Sequence, residues 1–310
     1  MISKRARILR WITSRYIQRI DVHSADVLKL RRRLDMIGRL LMKAFRVKLE
    51  RTTINNLYAE WLRPKKARRG RVLLYLHGGA YVMGSCRSHR QMVSHIARAA
   101  GIDALVPEYR LSPEHKFPDA IDDAVGVYRE LLGSGFRAED IIISGDSAGG
   151  GLAVATLLSL RDAGDPMPAA AVLLSPFLDV TASGDSATTR ADKDPWFHAS
   201  DVKVVIEHYC GEGQVRDPLV SPVFAEVAGL PPVLIQVGDH EILLSDSTRF
   251  ADMLRAAGGE AEIEIWPEMW HVFQLFIGKM PEARRAIHKI GDFVRERTAT
   301  RAESEPRLLL

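Results

Sequence analysis

The sequence predicts an α/β protein with a mostly parallel central sheet and helices on both faces of that sheet. Two observations lead to this class. Short apolar runs typical of fully buried strands alternate with stretches of helical periodicity. In addition, 46% of the 310 residues are hydrophobic and 26% are charged, so the chain can bury a large core. This composition excludes disordered and collagen-like proteins.

The first 45 residues are predicted to form two amphipathic helices, because apolar residues recur there at helical spacing with Arg and Lys between them. These apolar positions are Ile8, Trp11, Ile12 and Ile17, followed by Val27, Leu30, Leu34, Ile37 and Leu41. Both apolar stripes need a partner, so we expect the helices to pack on the core. The alternative is a helix that lies on a membrane surface.

An antiparallel hairpin and then a series of buried strands follow. Residues 47–50 and 57–62 alternate in polarity around Asn55 and Asn56, a pattern typical of a hairpin. Buried strands are predicted at 72–76, 102–106, 141–143, 170–174 and 233–237, with a last strand at 262–266. Helices are predicted at 89–100, 117–132, 148–163, 245–257 and 282–297. The last strand would form an edge of the sheet, where pairing with a second copy would give a homodimer.

A segment rich in Asp, Ser and Pro, 175–230, interrupts the alternation of strands and helices. It contains a single helical pattern near 201–209 and is too long for a simple loop. Open α/β sheets bind ligands at the carboxyl ends of their strands. We therefore expect this insertion to lie over that edge of the sheet.

Positive charge is concentrated at the front of the chain. Residues 1–71 contain 21 Lys and Arg against 5 Asp and Glu, whereas the remainder contains 22 against 34. This predicts at most a weak contact with an anionic membrane surface, and no nucleic-acid partner is expected. No apolar run approaches the roughly 18 residues of a spanning helix, so we expect neither a signal peptide nor an anchor. Cys86 and Cys210 match no disulfide framework or metal motif, which favours the cytoplasm.

The segment Gly145-Asp146-Ser147-Ala148-Gly149 follows a predicted strand and precedes a helical pattern. It is the Gly-x-Ser-x-Gly motif in the strand–turn–helix setting that this motif requires. The sharp turn strains the backbone of the nucleophile, and the flanking glycines let the neighbouring chain approach. We therefore predict Ser147 as a nucleophile. A phosphate-binding loop is the alternative, but the Walker lysine is missing.

The segment His77-Gly78-Gly79-Ala80 follows another predicted strand and is expected to supply an oxyanion hole. Backbone N–H groups stabilise the negative oxygen of a tetrahedral intermediate by about 3 to 4 kcal/mol per donor. Gly78, Gly79 and Ala80 can offer such groups, and Ala148 adds one from beyond the nucleophile. We expect His77 to brace this loop by hydrogen bonding rather than to act as a base.

A general base and an acid should follow Ser147 if the chain order Ser, acid, His holds. His271 is the candidate base, because it lies in a loop just past the last predicted strand. The acid should lie in the loop after 233–237, which contains both Asp239 and Glu241. Spacing alone does not choose between them. Either carboxylate could hold the imidazolium of His271 while its Nε2 takes the proton of Ser147.

With these motifs in this order, the sequence resembles the hormone-sensitive-lipase family of α/β-hydrolases over nearly its whole length. The stretches 107–118 and 217–222 are also similar to this family. The resemblance implies an α/β-hydrolase fold and a serine carboxylesterase that needs no cofactor or metal. Such an enzyme hydrolyses short- to medium-chain acyl esters through an acyl-enzyme intermediate. It also implies a helical cap, built from residues 1–45 and the inserted segment 176–228, on a catalytic domain of residues 46–310.

Two positions depart from the usual pattern of the family. Glu241 stands where the family usually carries Asp, as the following helix and the interval to His271 indicate, so Glu241 is the predicted acid and Asp239 the second choice. Ala80 replaces a third glycine; its N–H is kept, but its methyl group could narrow the acyl pocket. Certain members with Glu resemble monoterpene lactone hydrolases, so lactone hydrolysis is the alternative activity. A non-catalytic small-molecule receptor on the same fold is less expected, because His271 is present.

Overall fold

The structure, a computed structural model, describes residues 2–16, 26–195, 197–198 and 201–298. Ile17, assigned above to the first helix, lies outside these residues. The strands are β1 Val47–Ile54, β2 Leu57–Pro64, β3 Val72–Leu76, β4 Asp103–Pro107, β5 Ile141–Asp146, β6 Ala170–Leu174, β7 Val233–Gly238 and β8 Ala261–Trp266. The α-helices are α1 Lys4–Tyr16, α2 Val27–Leu40, α3 Cys86–Ala100, α4 Asp119–Gly133, α5 Ala148–Asp162, α6 Ser186–Thr189, α7 Val202–Val205, α8 Leu244–Ala256 and α9 Pro281–Arg297.

Within the described residues the strands form one sheet in the order β1-β2-β4-β3-β5-β6-β7-β8. The hairpin β1–β2 is antiparallel and joins β4 in antiparallel orientation, and all later pairs are parallel. The sheet is therefore mostly parallel, as predicted. β8 lies at one edge, also as predicted, and pairing across that edge with a second copy stays a prediction.

Helices cover both faces of the sheet, because every residue of the central strands from β3 to β7 is buried. Alternate residues of β3 enter two different core clusters. Leu74 and Leu76 pack with apolar residues of α4, α5 and α8. Leu73 and Tyr75 pack with apolar residues of α3 and α9. This sandwich fixes the carboxyl ends of the strands, where the loops with the candidate residues begin.

Several element boundaries differ from the sequence prediction, and specific contacts explain two of the differences. β5 continues three residues past the predicted end, because Ser144, Gly145 and Asp146 still pair with neighbouring strands. The Ser144 hydroxyl donates to the Val172 carbonyl (2.8 Å), so this polar residue is satisfied inside the sheet. α3 begins three residues earlier than predicted, because Ser85 caps it by accepting from the Ser88 N–H.

The first two helices pack on the rest of the chain through one side each. Ala6 of α1 is buried in a cluster with Met269 and Trp270. Gly38 of α2 lies so close to α3 that an added Cβ would come 2.5 Å from the Arg87 carbonyl oxygen. None of the helices in the described part of the chain combines the length and apolar composition that a bilayer crossing requires. The division into a cap and a catalytic domain stays a prediction.

Candidate active site

Ser147 occupies a strained turn between β5 and α5. Its backbone has φ 54° and ψ −125°, a region that L-residues rarely adopt. The Ser147 N–H donates to the Leu174 carbonyl (2.9 Å), which holds the turn against β6. A Cβ at Gly145 would come 2.1 Å from the Gly149 carbonyl oxygen, so only glycine lets the turn close. The motif thus produces a sharp elbow with Ser147 at its tip.

His271 connects Ser147 to an acid through its two ring nitrogens. Nε2 lies 2.9 Å from the Ser147 Oγ, and Nδ1 lies 3.0 Å from the Glu241 Oε2. His271 comes from the loop after β8 and Glu241 from the loop after β7, so neighbouring parallel strands deliver both side chains to one edge. Ser147, His271 and Glu241 therefore form one hydrogen-bonded line, with the geometry of a nucleophile, a base and an orienting acid.

The surroundings of His271 favour its protonated form. Burial disfavours the imidazolium, but the hydrogen bond and the negative charge of Glu241 outweigh burial, and the pKa of His271 is raised above its usual value. A base with a raised pKa holds a proton from Ser147 more strongly. This suits a group that must take a proton and then return it.

Glu241 is fully buried and its second oxygen is also occupied. Oε1 accepts from the Ser175 hydroxyl (2.9 Å) and from the Gly238 N–H (2.5 Å). The Ser175 Oγ in turn accepts from the Val272 N–H (3.1 Å), beside His271. These donors satisfy a carboxylate that would otherwise be costly to bury, and they fix Oε2 toward the imidazole.

Asp239, the second choice for the acid, is placed elsewhere. Its Oδ1 accepts from the Glu268 N–H (2.5 Å), and its side chain is 36% exposed. The imidazole of His240 lies 3.8 Å from the same oxygen. Of the two candidates, the structure brings Glu241 to His271, and Asp239 instead supports the loop that carries Glu268.

The loop after β3 has the left-handed backbone that an oxyanion hole needs. Gly79 has φ 130° and Ala80 has φ 54°. In the part of the chain that the structure describes, the N–H groups of Gly79, Ala80 and Ala148 donate to no protein acceptor. Ala148 is the first residue of α5, where N–H groups lack a helical partner. These three groups can therefore serve an oxyanion.

Gly78 was expected to contribute an N–H to the oxyanion hole, but its N–H instead donates to the Asp146 Oδ1 (3.0 Å). A buried carboxylate accepts this hydrogen bond, so the group already has a strong partner and points into the protein. Gly78 thus holds the loop in place, and the candidate oxyanion donors that remain are Gly79, Ala80 and Ala148.

Asp146 is the centre of a buried network that the sequence did not indicate. Besides Gly78 it accepts from the Tyr75 hydroxyl (2.7 Å), and its Oδ2 lies 3.2 Å from the His89 Nε2. Burial raises the pKa of Asp146, but the charge and the hydrogen bond of His89 lower it by more. The net pKa of Asp146 is therefore below its usual value. Burial lowers the pKa of His89, but the charge of Asp146 raises it by more, so the net pKa of His89 is above its usual value. Each group thus favours the charged form of the other, and their contact ties the loop after β3 to the turn of Ser147.

His77 acts as the expected brace. Its Nδ1 lies 3.1 Å from the Gly78 carbonyl oxygen, and its ring stacks on Tyr109 at 4.4 Å between centroids. Burial, followed by the nearby charge of His89, lowers the pKa of His77 to about 3. The ring is therefore neutral at physiological pH.

The inserted segment is anchored next to these residues. Asp246 of α8 accepts from the N–H groups of Leu178 and Asp179, at 2.8 and 3.0 Å. Burial raises the pKa of Asp246 to about 8. Further along, Asp194 accepts from the Ile242 N–H (3.1 Å), directly after Glu241. The insertion therefore contacts the carboxyl edge of the sheet, where it was expected.

An aromatic residue of the insertion covers His271. The Phe197 ring stacks on the His271 ring with 5.5 Å between centroids. Phe177 packs edge-on against Phe197 at 6.1 Å. Phe197 belongs to the inserted segment that was expected over this edge of the sheet, but the sequence alone did not place its ring against His271. Within the described residues, no three His, Cys, Asp or Glu side chains are grouped so as to hold a metal ion.

Comparison with known proteins agrees with this arrangement. A family model described as α/β hydrolase fold matches residues 73–275. An acetyl-hydrolase of Streptomyces hygroscopicus is 45% identical over 79% of this chain and 82% of its own length. An esterase of Acinetobacter venetianus is 36% identical over 85% of this chain and 87% of its own length.

Solved structures show the same similarity. An esterase of the bacterial hormone-sensitive lipase family superposes with a TM-score of 0.91 at 40% identity, over 96% of this chain and 100% of that one. A hormone-sensitive lipase from a metagenome library superposes with a TM-score of 0.92 at 34% identity, over the same shares. The chain therefore belongs to the hormone-sensitive-lipase family of α/β-hydrolases, and it is a carboxylic ester hydrolase.

Proposed function

We propose that this protein is a serine carboxylesterase that hydrolyses short- to medium-chain acyl esters through an acyl-enzyme intermediate. The observation that carries the proposal is the hydrogen-bonded line from Ser147 through His271 to the buried Glu241. No cofactor enters the proposed reaction, because nucleophile, base and oxyanion donors come from the chain itself.

In the first half-reaction the Ser147 Oγ attacks the carbonyl carbon of the ester while its proton passes to the His271 Nε2. The carbonyl oxygen becomes negative and accepts from the N–H groups of Gly79, Ala80 and Ala148. The bond to the leaving alcohol then breaks, and the alkoxide takes the proton back from His271. The products of this step are the free alcohol and an acyl group on Ser147.

In the second half-reaction water attacks the acyl group and gives a proton to His271. The same N–H groups hold the second oxyanion. When the bond to the Ser147 Oγ breaks, the serine oxygen recovers the proton and the carboxylic acid leaves. Throughout, Glu241 keeps Nδ1 of His271 protonated and stabilises the imidazolium by a charge-assisted hydrogen bond.

The size of the acyl group is proposed from the aromatic residues near His271. The rings of Phe197 and Phe177 occupy space next to the base. Tyr81, which follows the oxyanion loop, stacks on Tyr209 with 3.9 Å between centroids. We expect these large, packed rings to limit the room for an extended chain, and this expectation favours short acyl groups over long ones.

The test is hydrolysis of p-nitrophenyl acetate, butyrate, octanoate and palmitate, together with a cyclic lactone, by the wild type and Ser147→Ala. We expect a loss of at least ~10⁴-fold in kcat for Ser147→Ala, because no nucleophile remains. Ser134→Ala, the same change at an exposed position after α4, should keep wild-type activity. Near-wild-type turnover by Ser147→Ala would reject the mechanism.

Chain length is tested separately by Phe197→Ala. Removal of this ring should move the preferred substrate from the acetate or butyrate toward the octanoate, by about tenfold in the ratio of kcat/KM. An unchanged ratio would show that Phe197 does not limit the acyl group. Turnover of the lactone at a rate above that of every ester would instead assign the same triad to lactone hydrolysis.

A further inference from the structure

The outward side of α2 and of the turn that follows it is both apolar and basic; we call it the α2 face. Its exposed apolar residues are Leu28, Met36, Ile37, Leu40, Met42 and Phe45. Its exposed cationic residues are Lys29, Arg32, Arg33, Arg39, Lys43 and Arg46. Leu40, Met42 and Phe45 are 78%, 82% and 74% exposed, which is unusual for large apolar side chains so close together.

Carboxylates do not balance this positive charge. Between residues 27 and 46 the sequence contains one acidic residue, Asp35. Asp35 accepts from the Ser85 hydroxyl (2.5 Å) and pairs with Arg87 (3.0 Å), so it faces α3 and not the solvent side. Asp26, just before α2, caps the helix by accepting from the N–H groups of Leu28 and Lys29, and it also pairs with the Lys29 ammonium (3.6 Å). Arg32, Arg33, Arg39, Lys43 and Arg46 remain, so the α2 face has a net positive charge.

α1 repeats this combination. Ile8, Trp11 and Ile12 are 59%, 61% and 40% exposed. The exposed cations of α1 are Lys4, Arg5, Arg7 and Arg15, and the helix contains no acidic residue. An exposed Trp beside cations is typical of helices that lie in a membrane interface, because the indole is apolar with one polar N–H.

α1 and the first turns of α2 lie at the end of the sheet that carries Ser147. Arg31 of α2 donates to the carbonyls of Val82 and Ser112 (2.7 and 2.6 Å), in the loops after β3 and β4. Ala6 of α1 packs beside Trp270, the neighbour of His271 in the loop after β8. From there the α2 face runs along α3 to the start of β1, where the Arg46 carbonyl accepts from the Lys65 N–H (2.9 Å). The two exposed faces therefore begin beside the end of the molecule at which substrate must enter.

We propose that α1 and the α2 face dock on an anionic lipid bilayer. The cations would contact lipid phosphates and the apolar side chains would enter the boundary between headgroups and acyl chains. Docking would hold the Ser147 end of the sheet beside the membrane surface, so that esters dissolved in the bilayer reach the enzyme directly. A symmetric contact between two copies fits the α2 face less well, since it would bring like charges together with no carboxylate between them.

The test is co-sedimentation of the full chain with vesicles of phosphatidylcholine alone or with about a third phosphatidylglycerol. We expect binding to the anionic vesicles only, and a strong decrease between about 50 and about 300 mM salt. Arg32→Glu/Arg39→Glu should lower vesicle affinity by at least ~10-fold. The matched control is Arg129→Glu/Arg255→Glu, two exposed arginines in α4 and α8, which should change affinity less than ~2-fold.

The control arginines are suitable because they lie on the other face of the sheet. α4 and α8 pack on one face, whereas α2 packs on α3, which covers the opposite face. Both double variants therefore lose the same charge from opposite sides of the molecule.

The apolar contribution is tested by Met36→Ser/Leu40→Ser, which should weaken vesicle binding while the charge is unchanged. Trp11 fluorescence should shift to shorter wavelength when anionic vesicles are added, and this shift should be lost in Trp11→Phe. All variants should hydrolyse dissolved p-nitrophenyl acetate within ~2-fold of the wild type, since they lie outside the proposed catalytic groups. This separates a failure of docking from a failure of the proposed esterase reaction.

Three results would overturn the proposal. The first is equal binding to neutral and anionic vesicles, or no binding to either. The second is an equal loss of affinity in the α2 and control double variants. The third is a dimer, seen by sedimentation velocity, that Arg32→Glu/Arg39→Glu converts to a monomer, which would assign the α2 face to a second copy.

Discussion

Replacing Glu241 by Gln should strongly lower the kcat of ester hydrolysis, whereas replacing Asp239 by Asn should leave it nearly unchanged. The Gln side chain has nearly the shape of Glu, so the change removes the charge and turns one acceptor into a donor. The Gly238 N–H lies 2.5 Å from the Glu241 Oε1, and it can only donate. In the Glu241→Gln variant the amide oxygen must therefore stay at this site, and the amide NH₂ group must face the His271 Nδ1.

This orientation gives His271 the wrong tautomer. Nδ1 must then accept from the amide, so the ring proton moves to Nε2, which lies 2.9 Å from the Ser147 Oγ. An Nε2 that carries a proton cannot take one from Ser147. The reactive tautomer has its proton on Nδ1. In the variant this tautomer would place the Nδ1–H and the amide NH₂ group, both donors, against each other in a buried site.

Two costs set the size of the effect. The charge-assisted hydrogen bond to the imidazolium is worth about 1.5 to 3 kcal/mol. A buried donor without an acceptor costs about 1 to 3 kcal/mol more. Together they raise the barrier by about 2.5 to 6 kcal/mol, which is a loss of about two to four decades in kcat.

The assay is steady-state hydrolysis of p-nitrophenyl acetate by the wild type, Glu241→Gln and Asp239→Asn, with thermal unfolding of each as a control for folding. Asp239→Asn should stay within ~3-fold of the wild type, because the Asn oxygen can still accept from the Glu268 N–H. The reasoning is refuted if Glu241→Gln keeps more than about a tenth of the activity. A large loss in Asp239→Asn alone would move the acid role to that residue.

Two further predictions concern pH and the oxyanion loop. The base must be neutral to take a proton, so kcat/KM should fall as pH drops through the raised pKa of His271. In Glu241→Gln this fall should occur at lower pH, because the charge that raises the pKa is gone. A fall at the same pH in both proteins would show that Glu241 does not set this pKa. His89→Ala should lower kcat by about tenfold and leave KM nearly unchanged, since it loosens the link from Asp146 to Gly78 and so misplaces the oxyanion donors. His89→Gln, which can still donate to Asp146, should recover part of the loss, whereas a rise in KM at constant kcat would place the role of His89 in substrate binding.

Most of the fold was predictable from the sequence, because its central strands are buried on both sides. Runs such as 72–76 and 170–174 contain only apolar residues or Tyr, and they coincide with β3 and β6. The end of β5 was not predictable, since Ser144, Gly145 and Asp146 have turn-like composition. These residues stay in the strand because β3 and β6 supply pairing on the two sides, and this long-range pairing outweighs local preference.

The candidate site was predictable where chemistry depends on local motifs. The turn of Ser147 and the loop of Gly79 and Ala80 follow directly from glycines next to strand ends. The choice between Glu241 and Asp239 was not available from spacing, because both follow β7 closely. The Asp239 N–H donates to the Trp266 carbonyl, and this backbone bond to β8 directs the Asp239 side chain away from His271. The catalytic roles themselves stay predictions.

The polar support of the site could not be read from the chain for a physical reason. A buried carboxylate needs donors, so Asp146 and Glu241 each imply partners, but the rule does not say which residues supply them. The donors come from elements that are adjacent in the fold and far apart in sequence: Gly78 after β3, His89 in α3, and Ser175 after β6. The strand order β3-β5-β6-β7 brings all of them to one edge. The same order that delivers the reacting side chains therefore also delivers the groups that hold them, which ties precise placement at Ser147 to the packing of the whole sheet.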